Sequence, residues 1–297
     1  MKNETRKLSA GRRLALLLAL LCAAGCVTPE PAASPLAVMS FNIRNGRAND
    51  GDNSWTRRRP LVAEVVRSYA PDVLGLQEAF RFQLDQLTAD LPGYGEVGEG
   101  RGGGVKDEYS AILYRADRLE LLDSGTFWLS DTPEVVSKHW RHYHYRICTW
   151  ARFRDVTAGG AFYVYNTHFD HQSQVARVKG AELIRRRILA RPTREPVIVT
   201  GDLNAGEGNP AVARLRGAGS SYPLRDTFRV VRPDAREVGT GNGGYTGRRD
   251  GAKIDYVFVS QEIETLAAGI DQEPRGGRYP SDHYPVFARL RLPAHER

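Results

Sequence analysis

The sequence predicts an α/β fold in which two mixed β-sheets pack face to face and helices cover the outside. Two observations predict it: single helices interrupt the strands, and neighbouring strands follow one another in the middle and at the end of the chain. The strict alternation of strand and helix that characterises a doubly wound parallel sheet is therefore absent. With 297 residues, of which 41% are hydrophobic, the chain has enough apolar side chains for a sizeable core.

Hydrophobic periodicity and turn residues place the individual elements in order. Strands are predicted at 36–43, 73–77, 109–114, 146–154, 161–167, 196–200, 254–260 and 286–290. Helices are predicted at 55–68, 82–90 and 175–191, and Pro71 and Pro92 follow the ends of the first two. No change in composition marks a second domain, so residues 36–297 are predicted to form one domain. Residues 26–35, rich in Pro and Ala, are predicted to be a flexible tether.

Residues 1–25 resemble a bacterial lipoprotein signal peptide. A basic stretch ends at Arg13, and the apolar run 14–21 is shorter than the about 20 residues that a membrane-spanning helix needs. Small residues then precede Cys26, so cleavage there would leave an amino terminus able to carry acyl chains. Cleavage as an ordinary secretory signal is the alternative. We expect an exported protein, lipid-anchored through Cys26 to a membrane of the bacterial cell envelope on the periplasmic or outer-membrane side, or otherwise secreted.

Charge and cysteine content narrow the chemistry. Of the net charge of +7, residues 1–25 carry +4, which leaves +3 for the rest and is a weak argument for a polyanionic partner. After processing, Cys148 would be the only thiol besides the lipidated Cys26, so neither an internal disulfide nor a cysteine-based zinc site is expected. Cys148 lies in an apolar strand-like run and is expected to be a buried structural residue.

Side chains able to bind a metal or transfer a proton follow several predicted strands. They are Asn42, Glu78 in Leu-Gln-Glu, Glu108, His168 in Asn-Thr-His-Phe-Asp, Asp202 and Asn204 in Gly-Asp-Leu-Asn, Asp255, and Asp282 and His283 in Ser-Asp-His. Carboxylate and amide oxygens suit Mg²⁺ or Mn²⁺, with Ca²⁺ as a further candidate, rather than structural zinc. Such an ion neutralises charge on phosphoryl oxygens and activates water, and a histidine beside an aspartate is stabilised as imidazolium. The set indicates in-line attack on phosphorus.

In their order along the chain, these motifs resemble those of the endonuclease/exonuclease/phosphatase superfamily. The resemblance spans residues 36–290, with Gly-Asp-Leu-Asn and Ser-Asp-His as its specific signals and Leu-Gln-Glu in support. It implies a four-layer α/β sandwich and a divalent-metal-dependent phosphoric ester hydrolase. Residues 40–44, 128–130 and 166–171 and the helix that starts at Trp55 are similar to a bacterial branch of metal-dependent hydrolases.

The resemblance also implies how the metal site and the attacking water are held. Glu78 would be the principal metal ligand, and Asn42 and Asp282 would complete or support the site. Asp202 would orient or deprotonate the attacking water. Asn204 would hold a phosphoryl oxygen.

Two histidines receive roles from the same resemblance. His283, paired with Asp255, would contact the scissile phosphate and help to stabilise the transition state. Whether His283 or Asp202 removes the proton from water stays open. His168, held by Glu108, would be a second phosphate-contacting histidine.

Three further segments have both a functional and a structural interpretation. Asp170 and His171 would belong either to the histidine motif or to a surface turn. The aromatic and basic run 139–145 is interpreted as a substrate-facing loop between strands. Arg58 or Arg59, at a helix start where cations are disfavoured, would either reach toward an anion or form salt bridges on the helix.

Three functions from different classes follow. The preferred one is a monomeric phosphoesterase outside the cytoplasm, hydrolysing a phosphomonoester or phosphodiester in a small molecule, sugar phosphate or lipid headgroup. The alternative is an extracellular nuclease, for which nucleic acid binding should depend steeply on salt. A non-catalytic binding protein is disfavoured because Glu78, Asp202 and His283 are all present.

Overall fold

The computed structural model describes residues 34–293. The predicted signal peptide, Cys26 and all but the last two residues of the predicted tether lie outside the described residues. The described part contains twelve strands: β1 Leu36–Asn42, β2 Val73–Gln77, β3 Tyr94–Val97, β4 Ile112–Arg115, β5 Leu119–Trp128, β6 Ile147–Asp155, β7 Ala161–His168, β8 Val197–Asp202, β9 Leu224–Asp226, β10 Asp255–Ser260, β11 Glu264–Ile270 and β12 Val286–Arg291.

Five α-helices and one short 3₁₀ turn, Gly51–Asn53, connect these strands in the described range. The helices are α1 Trp55–Tyr69, α2 Arg81–Asp90, α3 Gln174–Leu189, α4 Pro210–Arg216 and α5 Thr227–Val231. All eight predicted strands and all three predicted helices are confirmed, with boundaries that differ by a few residues. The strands β3, β5, β9 and β11 and the short helices α4 and α5 were not predicted.

The strands form two six-stranded mixed sheets. Sheet I has the order β11-β12-β1-β2-β4-β3, and sheet II has the order β5-β6-β7-β8-β10-β9. The pairs β1–β2 and β7–β8 are parallel, and the other pairs are antiparallel. The prediction of two mixed sheets rather than one parallel sheet is confirmed.

Because side chains alternate between the two faces of each strand, the strands contribute to three hydrophobic cores: one between the sheets and one outside each sheet. Successive side chains of a strand point to opposite faces, so Val38 packs between the two sheets, whereas Met39 packs against the helices outside sheet I. The core outside sheet I includes Val62 from α1 and Leu84 from α2. A matching core outside sheet II contains residues of α3 and α4. The result is the four-layer α/β sandwich that the resemblance implied.

A polar bridge crosses the apolar space between the sheets. Asn166 on β7 of sheet II donates from Nδ2 to the main-chain oxygens of Leu76 and Ala111, at 2.9 and 2.8 Å. Its Oδ1 accepts from Gln77 Nε2 at 2.7 Å and from Thr200 Oγ1 at 3.0 Å. Because buried amide groups need partners, this bridge specifies how β7 and β8 lie against β2.

The ends of several strands from both sheets carry the predicted functional residues. Asn42 is the last residue of β1, His168 of β7 and Asp202 of β8, and Asp255 is the first residue of β10. In sheet II, Asp202 is directly paired with both His168 and Asp255. Among residues 34–293, no helix has both the length and the apolar character required to span a membrane.

Candidate active site

Asn42 lies at the centre of a hydrogen-bonded cluster that joins the two sheets. Its Nδ2 donates to Glu78 Oε1, beyond the end of β2, and to Asp202 Oδ2, at the end of β8, both at 3.0 Å. The backbone nitrogen of Asn204 donates to the other oxygen of Asp202 at 2.8 Å. Three residues predicted from separate motifs are therefore in direct contact, and a carboxylate from each sheet faces the same amide.

The predicted pair of His283 and Asp255 is formed. Nδ1 of His283 lies 2.9 Å from Asp255 Oδ2 and 3.8 Å from Asp202 Oδ2. Burial opposes protonation of His283, but the charges of Asp255 and Asp202 outweigh it and raise the pKa of the ring well above its ordinary value. The histidine is thus suited to carry a positive charge beside a phosphoryl group.

Asp202 has the environment of a proton acceptor. Its side chain is fully enclosed, and burial together with the negative charge of Asp255 raises the pKa of Asp202 above the ordinary range of an aspartate. A carboxylate with a raised pKa accepts a proton from water more readily at neutral pH than an exposed one does. Asp202 is therefore suited to accept a proton, whereas His283, with its raised pKa, already carries one at neutral pH.

His168 is held in a way that differs from the prediction. Its Nε2 lies 2.9 Å from Asn204 Nδ2 and 3.5 Å from Asp202 Oδ2, and its Nδ1 has no partner among the described residues. Burial, followed by the positive charges of Arg146 and Arg101, lowers the pKa of His168 well below its usual value. A neutral ring whose Nε2 accepts from Asn204 fits these contacts.

The expectation that Glu108 holds His168 is wrong for this geometry. Glu108 pairs with Arg101 Nη1 at 2.8 Å and accepts from Asn45 Nδ2 at 3.2 Å. A buried carboxylate is stabilised far more by a guanidinium than by a histidine with a lowered pKa, which explains the choice of partner. Asn45 also donates its backbone N–H to Glu78 Oε2 at 2.9 Å, so Glu108 lies at the margin of the site.

Asn204 contacts protein acceptors rather than open space. Its Nδ2 is within hydrogen-bonding distance of the His168 ring and donates to the main-chain oxygen of Phe169 at 3.0 Å. To donate to a phosphoryl oxygen, as the resemblance implies, this amide would exchange one of these two bonds for the new one. Its role stays a prediction.

The side chains around Glu78 fit a hard divalent cation. Burial opposes ionisation of Glu78, but the Asn42 hydrogen bond and the charge of His283 outweigh it and lower the pKa of Glu78. Its charge also interacts with that of Asp282, which faces Arg44 Nη1 at 3.6 Å. Carboxylate oxygens of this kind suit Mg²⁺ or Mn²⁺. Asn42 presents its Nδ2 to Glu78, and its Oδ1 accepts from the backbone nitrogen of Arg44 at 3.0 Å, so its amide would have to turn to bind a cation.

A second group of candidate ligand atoms comes from Asp202, Asp255 and His283, which lie within 4.8 Å of one another. His283 Nδ1 is already engaged with Asp255, and a protonated ring cannot coordinate a metal. That Glu78 is the principal metal ligand, with Asn42 and Asp282 in support, stays a prediction, and the second group is suited to proton transfer.

Backbone strain is concentrated at the same strand ends. Arg44 and Glu78, each with φ of 60°, and Asn204, with φ of 45°, adopt the left-handed conformation just after β1, β2 and β8. This conformation costs about 1–2 kcal/mol for a residue other than glycine, and such strain is typical of functional sites. The strand ends turn sharply here, which places these residues beside the site.

The site also has a basic side that the sequence interpretation missed. Arg101 and Arg146 are buried, with 5% and 4% of their surfaces exposed. Burial, and then the charges of Arg146 and Arg101, lower the pKa of His171. Nη2 of Arg146 lies 3.3 Å from His171 Nδ1. The available signal was the position of Arg146 as the first residue of the strand predicted at 146–154, at a strand end like the other site residues.

Other sequence interpretations have mixed outcomes. Arg59 pairs with Asp90, which supports the salt-bridge interpretation. Arg58 donates from Nε and Nη1 to the main-chain oxygens of Asn53, Ile43 and Pro280, and its buried Nη2 has no partner among the described residues.

Asp170 accepts from the backbone nitrogens of Tyr143, Gln172 and Ser173, which supports the turn interpretation. Cys148 is buried as expected, and burial raises the pKa of its thiol.

Comparison with known proteins provides independent information. A model of the Endonuclease/Exonuclease/phosphatase family matches residues 39–283. The chain is 33% identical to a family protein of Bacteroides thetaiotaomicron, with a TM-score of 0.80, covering 88% of this chain and 98% of that one. It is also 33% identical to a mannosyl-6-phosphatase of the same organism, with a TM-score of 0.79, covering 86% of this chain and 100% of that one.

A curated relative is the nocturnin of Drosophila melanogaster. The chain is 27% identical to it over 317 residues, which cover 86% of this chain and 47% of that protein. The chain thus spans about half the length of this relative.

Proposed function

The chain belongs to the endonuclease/exonuclease/phosphatase family and is a phosphoric ester hydrolase, and on that premise we propose that it is a divalent-metal-dependent phosphomonoesterase for small phosphorylated molecules. The observation that carries the proposal is the contact of Asn42 with both Glu78 and Asp202. It joins a ligand for a cation to a proton acceptor within one small site. The similarity to a mannosyl-6-phosphatase supports sugar phosphates as the first substrate class to test.

In the proposed mechanism, Asp202 orients the attacking water and accepts its proton, because His283 is already protonated. His283, held by Asp255, faces the phosphoryl group as imidazolium and stabilises the charge that develops during in-line attack. A bound Mg²⁺ or Mn²⁺ would neutralise phosphoryl oxygens and favour departure of the alcohol. Asn42 holds the carboxylates of Glu78 and Asp202 in place by donating to both.

The decisive experiment is a substrate panel with the chain from residue 27, supplied with Mg²⁺ or Mn²⁺. Sugar monophosphates, p-nitrophenyl phosphate, phospholipids, DNA and RNA are compared. We expect release of inorganic phosphate from monoesters. We expect Glu78→Gln to reduce this activity about 100-fold or more, because several kcal/mol of metal-dependent transition-state stabilisation is lost.

The matched control is Glu120→Gln, which removes a surface carboxylate paired with Arg154 at 2.7 Å on the outer strands of sheet II. It should keep full activity. Undiminished activity of Glu78→Gln, or of the wild type in excess chelator, would refute the metal-dependent mechanism. Cleavage of nucleic acid alone, with steep salt dependence, would replace the phosphatase by the nuclease that the same chemistry could support.

We also propose that the enzyme acts outside the cytoplasm, anchored through a lipid on Cys26. The support is the sequence pattern of residues 1–26 alone. In a bacterial host, the wild type should partition into the detergent phase, and Cys26→Ser should partition into the aqueous phase. Aqueous partitioning of both would refute the anchor and leave the domain chemistry unaffected.

A further inference from the structure

Arg146 is a buried cation that the protein itself does not neutralise by contact. Only 4% of its surface is exposed, and its Nε has no hydrogen-bond partner among the described residues. Its one side-chain contact is Nη2 to Nδ1 of His171 at 3.3 Å, and no ion pair joins it to a carboxylate within residues 34–293. Because removing a charge from water costs free energy, an uncompensated buried guanidinium is a poor device for stability.

The charged side chains near Arg146 are engaged with other partners or lie beyond ion-pair distance. Arg101, itself buried, pairs with Asp107 and Glu108 at 3.0 and 2.8 Å, and its charge opposes that of Arg146. His171, which contacts Arg146, has its ring 5.9 Å from that of His144. Glu108 and Asp170 act on Arg146 only at a longer distance. Arg146 itself therefore has no carboxylate in contact among residues 34–293.

Arg146 lies close to the candidate active site. Arg146 directly precedes β6, whose Cys148 pairs with Thr167, the residue before His168. The charge of Arg146 acts on both His168 and Glu78. Arg146 therefore lies within electrostatic reach of both Glu78 and His168.

We propose that Arg146 binds non-bridging oxygens of the substrate phosphate and makes the enzyme select phosphomonoester dianions over phosphodiester monoanions. The inference rests on the proposed phosphatase function and names the residue that determines its preference. A guanidinium is suited to two phosphate oxygens at once, and its interaction is strongest where water is excluded. A diester carries one negative charge and has a second substituent in place of one charged oxygen. Its interaction with Arg146 is therefore weaker.

The test compares the wild type with Arg146→Gln on p-nitrophenyl phosphate and bis(p-nitrophenyl) phosphate. We expect kcat/KM for the monoester to fall about 10- to 100-fold, as for loss of a hydrogen bond to a charged group, with a change below about threefold for the diester. Arg146→Lys, which keeps the charge, should recover part of the monoester activity. Arg152→Gln on the same strand, where Arg152 pairs with Glu195, is the control and should change neither rate.

A second readout does not depend on catalysis. Inorganic phosphate should raise the Tm of the metal-free wild type and not that of Arg146→Gln. Without ligand, the Tm of the variant should equal or exceed that of the wild type, because an uncompensated buried charge has been removed.

Equal losses on both esters, no loss on either, or a lower Tm without ligand would overturn the role of Arg146. Its failure is distinguishable from failure of the proposed function, since a wild type that hydrolyses no monoester refutes the phosphatase itself.

Discussion

At the scale of single residues, function depends on a few short polar contacts between residues distant in sequence. Asn42 and Asp202 are 160 positions apart and are joined at 3.0 Å, and His283 and Asp255 meet at 2.9 Å. Each contact replaces water by a fixed dipole or charge, and this pre-organisation is what accelerates charge-forming reactions.

The residue-scale prediction concerns Asp255, whose Oδ1 is buried without a partner while Oδ2 contacts His283. Asp255→Asn keeps the size of the side chain and removes its charge, so the imidazolium of His283 loses its main electrostatic support. We expect kcat to fall about 100-fold or more, in the range found for loss of acid–base catalysis.

Phosphate release under saturating substrate measures this effect. Asp123→Asn, in the exposed part of β5, serves as the control with unchanged kcat. A loss of less than about threefold in Asp255→Asn would show that the pair does not support catalysis.

At the scale of elements, the four strands that sequence patterns missed are the four edges of the two sheets. β11 and β3 border sheet I, and β5 and β9 border sheet II. An edge strand has one unpaired side and partly exposed faces, and natural edges are often short or polar. Such strands lack the continuous apolar run by which β1, β8 and β10 were predicted. Their existence depends on the neighbouring strand rather than on their own residues.

The element-scale prediction concerns Gly75 on β2, at the polar bridge between the sheets. A Cβ there would lie 2.2 Å from Thr200 Oγ1 and 2.7 Å from Asn166 Oδ1. Gly75→Ala would therefore force the sheets apart or break the bridge, and we expect a loss of about 1–3 kcal/mol in the free energy of unfolding.

Urea denaturation measures the loss, and Gly208→Ala, where a Cβ would meet nothing within 4 Å, is the matched control. Equal stability of the two variants would mean that the sheet-to-sheet spacing tolerates a methyl group.

At the scale of the whole molecule, strand ends from both sheets place the site where the two halves of the sandwich meet. Sheet I contributes Asn42 and Glu78, and sheet II contributes His168, Asp202 and Asp255. The cation site and the proton-transfer residues are therefore assembled only when both sheets are folded and packed. For this reason, we expect activity to be lost together with the folded structure when the protein unfolds.

The whole-molecule prediction is a dependence of stability on pH that originates at His142. This side chain is 7% exposed, neither ring nitrogen has a partner among the described residues, and the Trp140 ring lies 5.9 Å away. Burial lowers the pKa of His142 to about 4, although the charge of Asp170 acts in the opposite direction and that of Arg146 in the same one.

Because the folded state binds this proton less readily than the unfolded chain, the contribution of His142 is present above pH about 6.5 and is lost as the pH falls toward 4. The shift corresponds to about 3 kcal/mol of unfolding free energy. His142→Phe, which keeps an aromatic ring, should flatten the fall in stability between pH 6.5 and 4.

Urea titrations at several pH values measure this, with similar stabilities of the two proteins expected at pH 7.5. An unchanged slope in the variant would assign the pH dependence to other groups.

The sequence by itself determined the central strands, the main helices and the chemical identity of the site. Local sequence is enough to find the apolar runs of β1, β8 and β10, because a buried strand requires apolar residues in succession. It is also enough to find the motifs around Glu78, Asp202 and His283, because they lie at or near strand ends. Only the tertiary structure decided which side chains meet. It paired Glu108 with Arg101 rather than His168, gave Arg58 main-chain partners, and left Arg146 buried without a carboxylate. These choices depend on how loops and sheets pack across long sequence separations, which no local pattern specifies.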